Sequence, residues 1–445
     1  MTTDAMEISF NQLAATIADQ LRPDEQFTLT LNSEQSQFTR FNHAKVRQTG
    51  AVSDGSVHLT LMQDQRSSYV EFPFTGEGEV DREQSQQALS MLRQEVPQLP
   101  INPYLVLPAG DSVSREVHEG QLLSSEEVVS TLLPVVADLD FTGLYAAGRT
   151  IRAYADSMGQ KHWFATDSFS LDYSLFTPDG QALKGTLAGS QWDQAAYLSK
   201  MQESRSQLDR LAQPPKSIRR GQYRTYLAPA AIAELLSMLS WGGVSESSYQ
   251  QGGSCFGALR RGEKKLSPQF TLKENFHHGL VPRFNELGEM APLELALIES
   301  GELANLLVSS KTAKEYNLVA NGANEDEGLR SPEIAPGDLP VDQILSKLDT
   351  GLYVSNLHYL NWSDRPTGRI TGMTRYACFW VEKGEIVAPI ENLRFDDSVY
   401  QFLGSHLVAL TNTQEFIPDV GTYGSRNLGG SWTPGMIVDD FTYTL

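Results

Sequence analysis

Cysteine is scarce: only Cys255 and Cys378 occur among 445 residues, which excludes a disulfide framework and a cysteine-rich zinc site. No apolar run approaches the length of a membrane span. Positive charge is also in short supply, with 35 Lys and Arg against 55 Asp and Glu and a formal charge of -20. Nucleic acid is bound by exchanging counterions for Lys and Arg, so direct binding to it is not expected. The short basic clusters KSIRR (216–220) and RRGEKK (260–265) read as solvated linker and turn charges. The first residues, MTTDAMEISFNQLAATIADQ, carry acids and no apolar core. They do not read as a signal peptide, and the expectation is a cytoplasmic protein with reduced thiols.

Several chemical motifs are missing as well. There is no GxGxxG phosphate loop and no P-loop. His118 and Glu119 form the only H-E dipeptide, and Leu122 and Leu123 stand where a zincin helix would need its second histidine. The adjacent His277 and His278 lack H-x-x-x-H spacing and read as loop residues. The carboxylate pairs Asp396 with Asp397 and Asp439 with Asp440, and the acidic run 325–327, read as solvated turns.

Cys255 lies in QQGGSCFGALRRGEKK (250–265), a glycine-framed thiol followed some twenty residues later by NFHHGL. GSCF resembles the surroundings of a papain-type nucleophile, whose chemistry places the thiol at a helix start. The following GALRRGEKKLSP has two glycines and a proline and predicts a turn leading to a strand. That favours a structural cysteine over a nucleophile paired with His277 or His278.

What is present is ample core material: 40% apolar and 20% charged residues in a chain long enough for two or three domains. Leu13, Ile17 and Leu21 mark a first amphipathic helix. Alternating segments FTLTLN, QFTRFNHAKVRQTGA and GSVHLTLMQDQRSSYVEFPF predict strands of a half-solvated antiparallel sheet. Helices are predicted over 81–96, 124–139 and 194–211, with strands and an Asp179–Gly180 hairpin turn between the last two. Prolines at 97, 100, 103 and 108 suggest a subdivision, and AQPPKSIRRGQYR the main boundary. The division is therefore 1–215 and 222–445. The second half opens with a helix striped by Ile232, Leu235, Leu236 and Leu239 and stopped by Gly242 and Gly243. It continues as short apolar runs that predict a strand-rich domain, with 320–340 expected to be an exposed loop. The fold class is α+β.

Several segments, in order along the chain, resemble the TldD/PmbA family, whose members are also labelled modulators of DNA gyrase. They are FTRFNHAKVRQTGAVSDGSVHLTLM, RAYADSMGQKHWF, FNELGEMAPLELALIESGELANLLVSSKTAKEYNLVANGAN and, most specifically, DTGLYVSNLHYLNWSDRPTGRITGMTRYACFWVEKGEIVAPIENLRF. The resemblance implies peptide processing by a pair of chains: a zinc-bearing TldD-type chain with H-E-x-x-x-H on a helix, and a metal-free PmbA-type chain, also called TldE. In this sequence Ser237, Met238 and Gly242 stand at the motif positions. YGSRNLGGSWTPGMIVDD near the C-terminus supplies no cysteine or histidine.

The chain thus resembles the PmbA/TldE type. Zinc is expected in a TldD-like partner and no cofactor in this chain. An extended peptide is the expected substrate, with strand residues Arg369, Thr371, Gly372 and Thr374 the candidates for contacting it. The alternatives are a stand-alone peptide-binding or assembly protein and, third, a thiol hydrolase.

Overall fold

A computed structural model describes residues 3–444. The first half forms α1 (Thr3–Ala18), β1 (Gln26–Asn42), β2 (Lys45–Gln63), β3 (Arg66–Pro73), α2 (Gly78–Glu95), β4 (Val113–His118), α3 (Glu127–Val136), β5 (Asp140–Asp156), β6 (Lys161–Phe176), β7 (Ala182–Gly189) and α4 (Gln194–Leu211). Seven strands make one sheet, β3-β2-β1-β5-β6-β4, with β7 also on β6. All pairs are antiparallel except β4 with β6. The α+β expectation holds here.

The two-residue period of β1 divides the sheet's faces. Phe27, Leu29 and Leu31 join Val57, Leu59 and Leu61 in a core under α1 and α2. The intervening Thr28, Thr30 and Asn32 project from the opposite, polar face. Farther along the sheet, Phe141, Tyr145 and Tyr173 are buried against α3 and α4. The Tyr197 hydroxyl donates to the Leu132 carbonyl at 2.9 Å, tying these two helices together. The side chain of Asp193 caps α4 by accepting from the backbone N–H groups of Ala195 and Ala196.

The second half forms β8 (Gly221–Leu227), α5 (Pro229–Ser240), α6 (Glu246–Gln250), α7 (Gly257–Arg260), β9 (Leu272–Asn275), β10 (Glu294–Glu299), β11 (Glu302–Leu303), α8 (Ser310–Tyr316), β12 (Pro332–Ile334), α9 (Ile344–Leu348), β13 (Gly351–Val354), β14 (Asn356–Asp364), β15 (Arg369–Arg375), β16 (Phe379–Glu382), β17 (Glu385–Pro389), β18 (Arg394–Ser398), β19 (Leu407–Pro418) and β20 (Gly430–Tyr443). Its main sheet path is β11-β10-β9-β12-β20-β8-β13-β16-β17; β18 links β20 to β15, β14 lies beyond β15, and β19 flanks β20. The expected strand-rich second half is present. Pro229 opens α5, whose Ile232, Leu235, Leu236 and Leu239 bury against the sheet with Leu352, Val354 and Val438.

Three local expectations are corrected. The pairs Asp396 with Asp397 and Asp439 with Asp440, read as solvated turns, lie in β18 and β20, and Asp397 is 1% exposed, accepting from the Thr442 N–H at 2.9 Å. Cys255 is followed by the single helical turn α7 before β9 begins at Leu272, rather than by a turn leading directly into a strand. The acidic segment 320–340 is not simply an exposed loop. Glu327 is 1% exposed at φ +53°, its carboxylate accepting from Ser245 Oγ at 2.7 Å and from the N–H groups of Ser247 and Ser309, each at 2.8 Å. Hydroxyl and backbone donors from distant segments make that burial tolerable, and they are invisible in a local pattern.

The two halves share packing. Ala377 and Phe379 enter the core beneath α3 and α4, and Phe284 packs against Tyr154 and Phe164 on the polar face of the first sheet. Among the described residues no helix is long and apolar enough to cross a membrane.

Candidate functional site

Helix α5 and the turn just after it carry the three positions that the resemblance assigns to a zinc motif. Ser237 points to solvent and its hydroxyl donates to the Glu234 carbonyl at 2.7 Å. Met238, one residue and about 100° further round the helix, is 3% exposed within the core. Gly242 lies past the helix end at φ +130°, where a Cβ would stand 2.9 Å from Arg365 Nε. A hydroxyl, a buried thioether and a glycine do not make a zinc donor set, so these residues do not fit the metal. Trp241 is 55% exposed beside them; Arg365 lies over its ring at 5.3 Å and Trp362 Nε1 donates to its carbonyl at 3.2 Å. Among the described residues, no group of three or more His, Cys, Asp or Glu could hold a metal ion.

Cys255 is fully buried directly beneath this end of α5. Its N–H donates to the Gly242 carbonyl at 3.0 Å, and its carbonyl accepts from the Tyr400 hydroxyl at 2.5 Å. Burial pushes the thiol well above its ordinary range, the opposite of what a nucleophile needs. The histidines are engaged elsewhere: His278 contacts Glu333 at 3.0 Å and stacks on Trp432 at 4.6 Å, while His277 lies 3.8 Å from Glu294.

The four strand candidates lie on β15, which is paired on one side with β14 and on the other with β18. Arg369 Nε donates to Asp396 Oδ1 at 2.9 Å and Thr371 Oγ1 to the Phe395 carbonyl at 2.9 Å. Gly372 faces the Phe395 ring, where an added Cβ would approach to 2.8 Å. Thr374 is 1% exposed and accepts from the Leu393 N–H at 2.8 Å. With both of its backbone edges in use, β15 cannot itself receive an added strand. Among the described residues the neighbouring β14 pairs only with β15. Its exposed His358 and Tyr359 leave an edge where a strand could be added.

A feature absent from the sequence reading lies between the two halves. The polar face of β1–β3 floors a cleft of about 530 Å³, walled by the 102–106 loop and by residues near 286, 310 and 325. His58 and Tyr69 stack on this floor with ring centres 4.3 Å apart. Burial lowers the His58 pKa, partly opposed by Glu71. A second cavity of about 380 Å³ adjoins at Asn32 and is bordered by the 423–426 loop. The alternation of polar residues on β1 was the available signal, and it read only as a solvated face. Concave, polar-lined spaces at domain boundaries are common ligand sites.

Residues 220–445, just over half of the chain, match the PmbA/TldA metallopeptidase C-terminal domain. No curated protein matches the chain. Among solved structures, TldE from Thermococcus kodakarensis superposes with a TM-score of 0.79 at 15% identity, covering 98% of this chain and 100% of that one. A candidate modulator of DNA gyrase from Bacteroides thetaiotaomicron gives 0.78 at 16% identity, with both chains fully covered. A similar candidate from Thermotoga maritima gives 0.75 at 14%, covering 98% of this chain and 100% of that one. At these identities the structural likeness concerns the fold, whereas the domain match carries the assignment: the chain belongs to the PmbA/TldD family.

Proposed function

We propose that this chain is the metal-free, PmbA/TldE-type subunit of a cytoplasmic zinc metallopeptidase pair that processes or degrades unfolded or leader-bearing peptides. A TldD-like homologue carries the zinc in this reading. The observation that carries it is the composition of α5, where Ser237, Met238 and Gly242 replace the donors and the general acid–base group that zinc hydrolysis requires. A chain that keeps the fold but lacks the ligands still has work to do in a pair: it can close a chamber and guide an extended peptide. Two surfaces suit that task. The β14 edge offers backbone pairing beside the exposed Trp241, with Arg369 and Thr371 on the neighbouring strand, and the interdomain cleft offers a polar floor.

The test is co-expression with a homologue bearing H-E-x-x-x-H, followed by light scattering and cleavage of an unstructured peptide before and after chelation. The expected result is one co-eluting complex whose chelator-sensitive activity exceeds that of either chain alone. Separate elution, or equal activity of the zinc-bearing chain by itself, overturns the reading. The cleft lies within one chain, which favours the alternative of a stand-alone peptide binder; peptide binding without any co-eluting partner would support that alternative.

A further inference from the structure

The cavity bordered by the 423–426 loop contains two polar groups without adequate partners among the described residues. Arg152 projects from β5 on the cleft side, and among the described residues its side chain has a single hydrogen bond, from Nη1 to the Ile151 carbonyl of its own strand at 2.8 Å. Among the described residues no carboxylate lies within ion-pair distance of this guanidinium. Burial holds it below the ordinary arginine range, with Glu34 partly opposing. Thr150, two residues earlier and therefore on the same face, is 1% exposed, and its hydroxyl has no hydrogen-bond partner. A largely desolvated guanidinium and an orphaned hydroxyl at the wall of one cavity are costly unless a ligand or ordered solvent satisfies them.

The surroundings narrow the ligand. Asn32 sits directly across from Arg152, and Glu34 across from Thr150. Glu34 is already used, accepting from Ser36 Oγ at 2.7 Å and from the Arg426 N–H at 3.3 Å. Arg426 and Glu34 are thus engaged with the surrounding backbone and hydroxyls, and among the described residues of this cavity Arg152 is the cation left without a charged partner in direct contact. Asp54 and Glu71 also line the cavity, which disfavours a dianion such as phosphate. A planar monoanion matches the guanidinium fork and adds the least negative charge beside these carboxylates. We propose that the cavity binds a carboxylate, held by the Arg152 guanidinium and the Thr150 hydroxyl, with Asn32 beside it. Resting on the peptide-handling reading above, the carrier is a short peptide bound by its terminal carboxylate. The rest of that peptide runs into the adjoining cleft, where β1 continues from Asn32 back to Thr28, about 13 Å.

Isothermal titration of the full-length chain tests this with three unstructured tetrapeptides: one with a free C-terminal carboxylate, its amide, and an amide bearing an internal glutamate. The free acid is expected to bind at least about tenfold more tightly than its amide. Arg152→Gln and, separately, Thr150→Val should each remove most of that difference, with Arg152→Lys keeping part of it and thermal melts confirming the fold. Preference for the internal-glutamate amide would support the carboxylate site and assign the anion to a side chain instead. Equal binding of acid and amide, a preference that survives both Arg152→Gln and Thr150→Val, or competition by inorganic phosphate but not by acetate would overturn it. Those outcomes leave the subunit reading standing, because that reading fails only in the co-elution and cleavage experiment; binding of none of the peptides sinks the carboxylate site alone.

Discussion

Arg426, on the loop before β20, donates through Nη2 to the carbonyl of Ser168 on β6 at 2.9 Å, joining segments 258 residues apart. The same guanidinium reaches the Ser168 hydroxyl at 2.8 Å, the Gly148 carbonyl at 3.1 Å and Ser36 Oγ at 3.3 Å. The residue is 7% exposed, so water cannot replace these contacts when they are lost. Arg426→Ala is expected to cost about 2–4 kcal/mol, because two carbonyls and the nearby Glu34 lose a charged partner in a desolvated site. Urea unfolding is the measurement; a change below about 0.5 kcal/mol would show that this residue does not hold the halves together.

Glu25 and Arg93 form a bidentate pair, Nε to Oε1 at 2.8 Å and Nη2 to Oε2 at 2.7 Å. Burial alone would raise the Glu25 pKa, but the Arg93 hydrogen bonds and the Arg22 N–H outweigh it and hold it below its ordinary 4.5. A carboxylate with a depressed folded pKa contributes stability above its unfolded value and loses it as the pH falls through the folded one. The wild-type advantage over Glu25→Gln should therefore be full at pH 7 and fade below about pH 4.5. Arg93→Ala should cost about 2–3 kcal/mol at neutral pH. Denaturant titrations at several pH values check both, and a pH-independent difference between wild type and Glu25→Gln would refute the linkage.

Both cysteines are buried, and burial raises both thiol pKa values. Neither should react with an aromatic disulfide reagent in the folded chain, and both should react on unfolding. Cys255→Ala should lose about 1–2 kcal/mol through the small void it leaves, while any peptidase activity of an assembled pair persists. Rapid labelling of native protein at Cys255 would revive the thiol hydrolase.

Gly242 combines φ +130° with the close approach of Arg365. Gly242→Ala is expected to cost about 1–3 kcal/mol from the strained backbone. Installing the absent motif by Ser237→His, Met238→Glu and Gly242→His should therefore destabilise the fold and yield no stoichiometric zinc on elemental analysis. One tightly held zinc in that variant would show that the end of α5 adapts more readily than its packing indicates.

Much of the fold was legible because its signals are local. The bounds of α4 were read directly from its helical period, and the leucine stripe of α5 is the face that packs in the core. The β1–β2 hairpin was harder to place. Its two turn residues, His43 and Ala44, adopt φ of 48° and 51°, a conformation more commonly supplied by glycine or asparagine, so the chain ran through the turn without a recognisable stop. The turn is nonetheless fixed by the pairing of the strands on either side, which extends from Asn42 with Lys45 to Gln26 with Met62.

By itself the sequence determined most of the longer elements, the change from a mixed first half to a strand-rich second half, and the lack of any histidine on α5. Each follows from residue identity or from a period only a few residues long. Tertiary structure alone decided that β15 lies between two partners, that Glu327 is buried among donors, and that Arg152, Thr150 and Asn32 share a cavity with residues 423–426. These depend on strand pairing and domain docking across tens to hundreds of residues. Burial and hydrogen-bond satisfaction at such sites belong to the folded contacts, and the same polar alternation that predicts a solvated strand face can line a ligand cavity once a second domain closes over it.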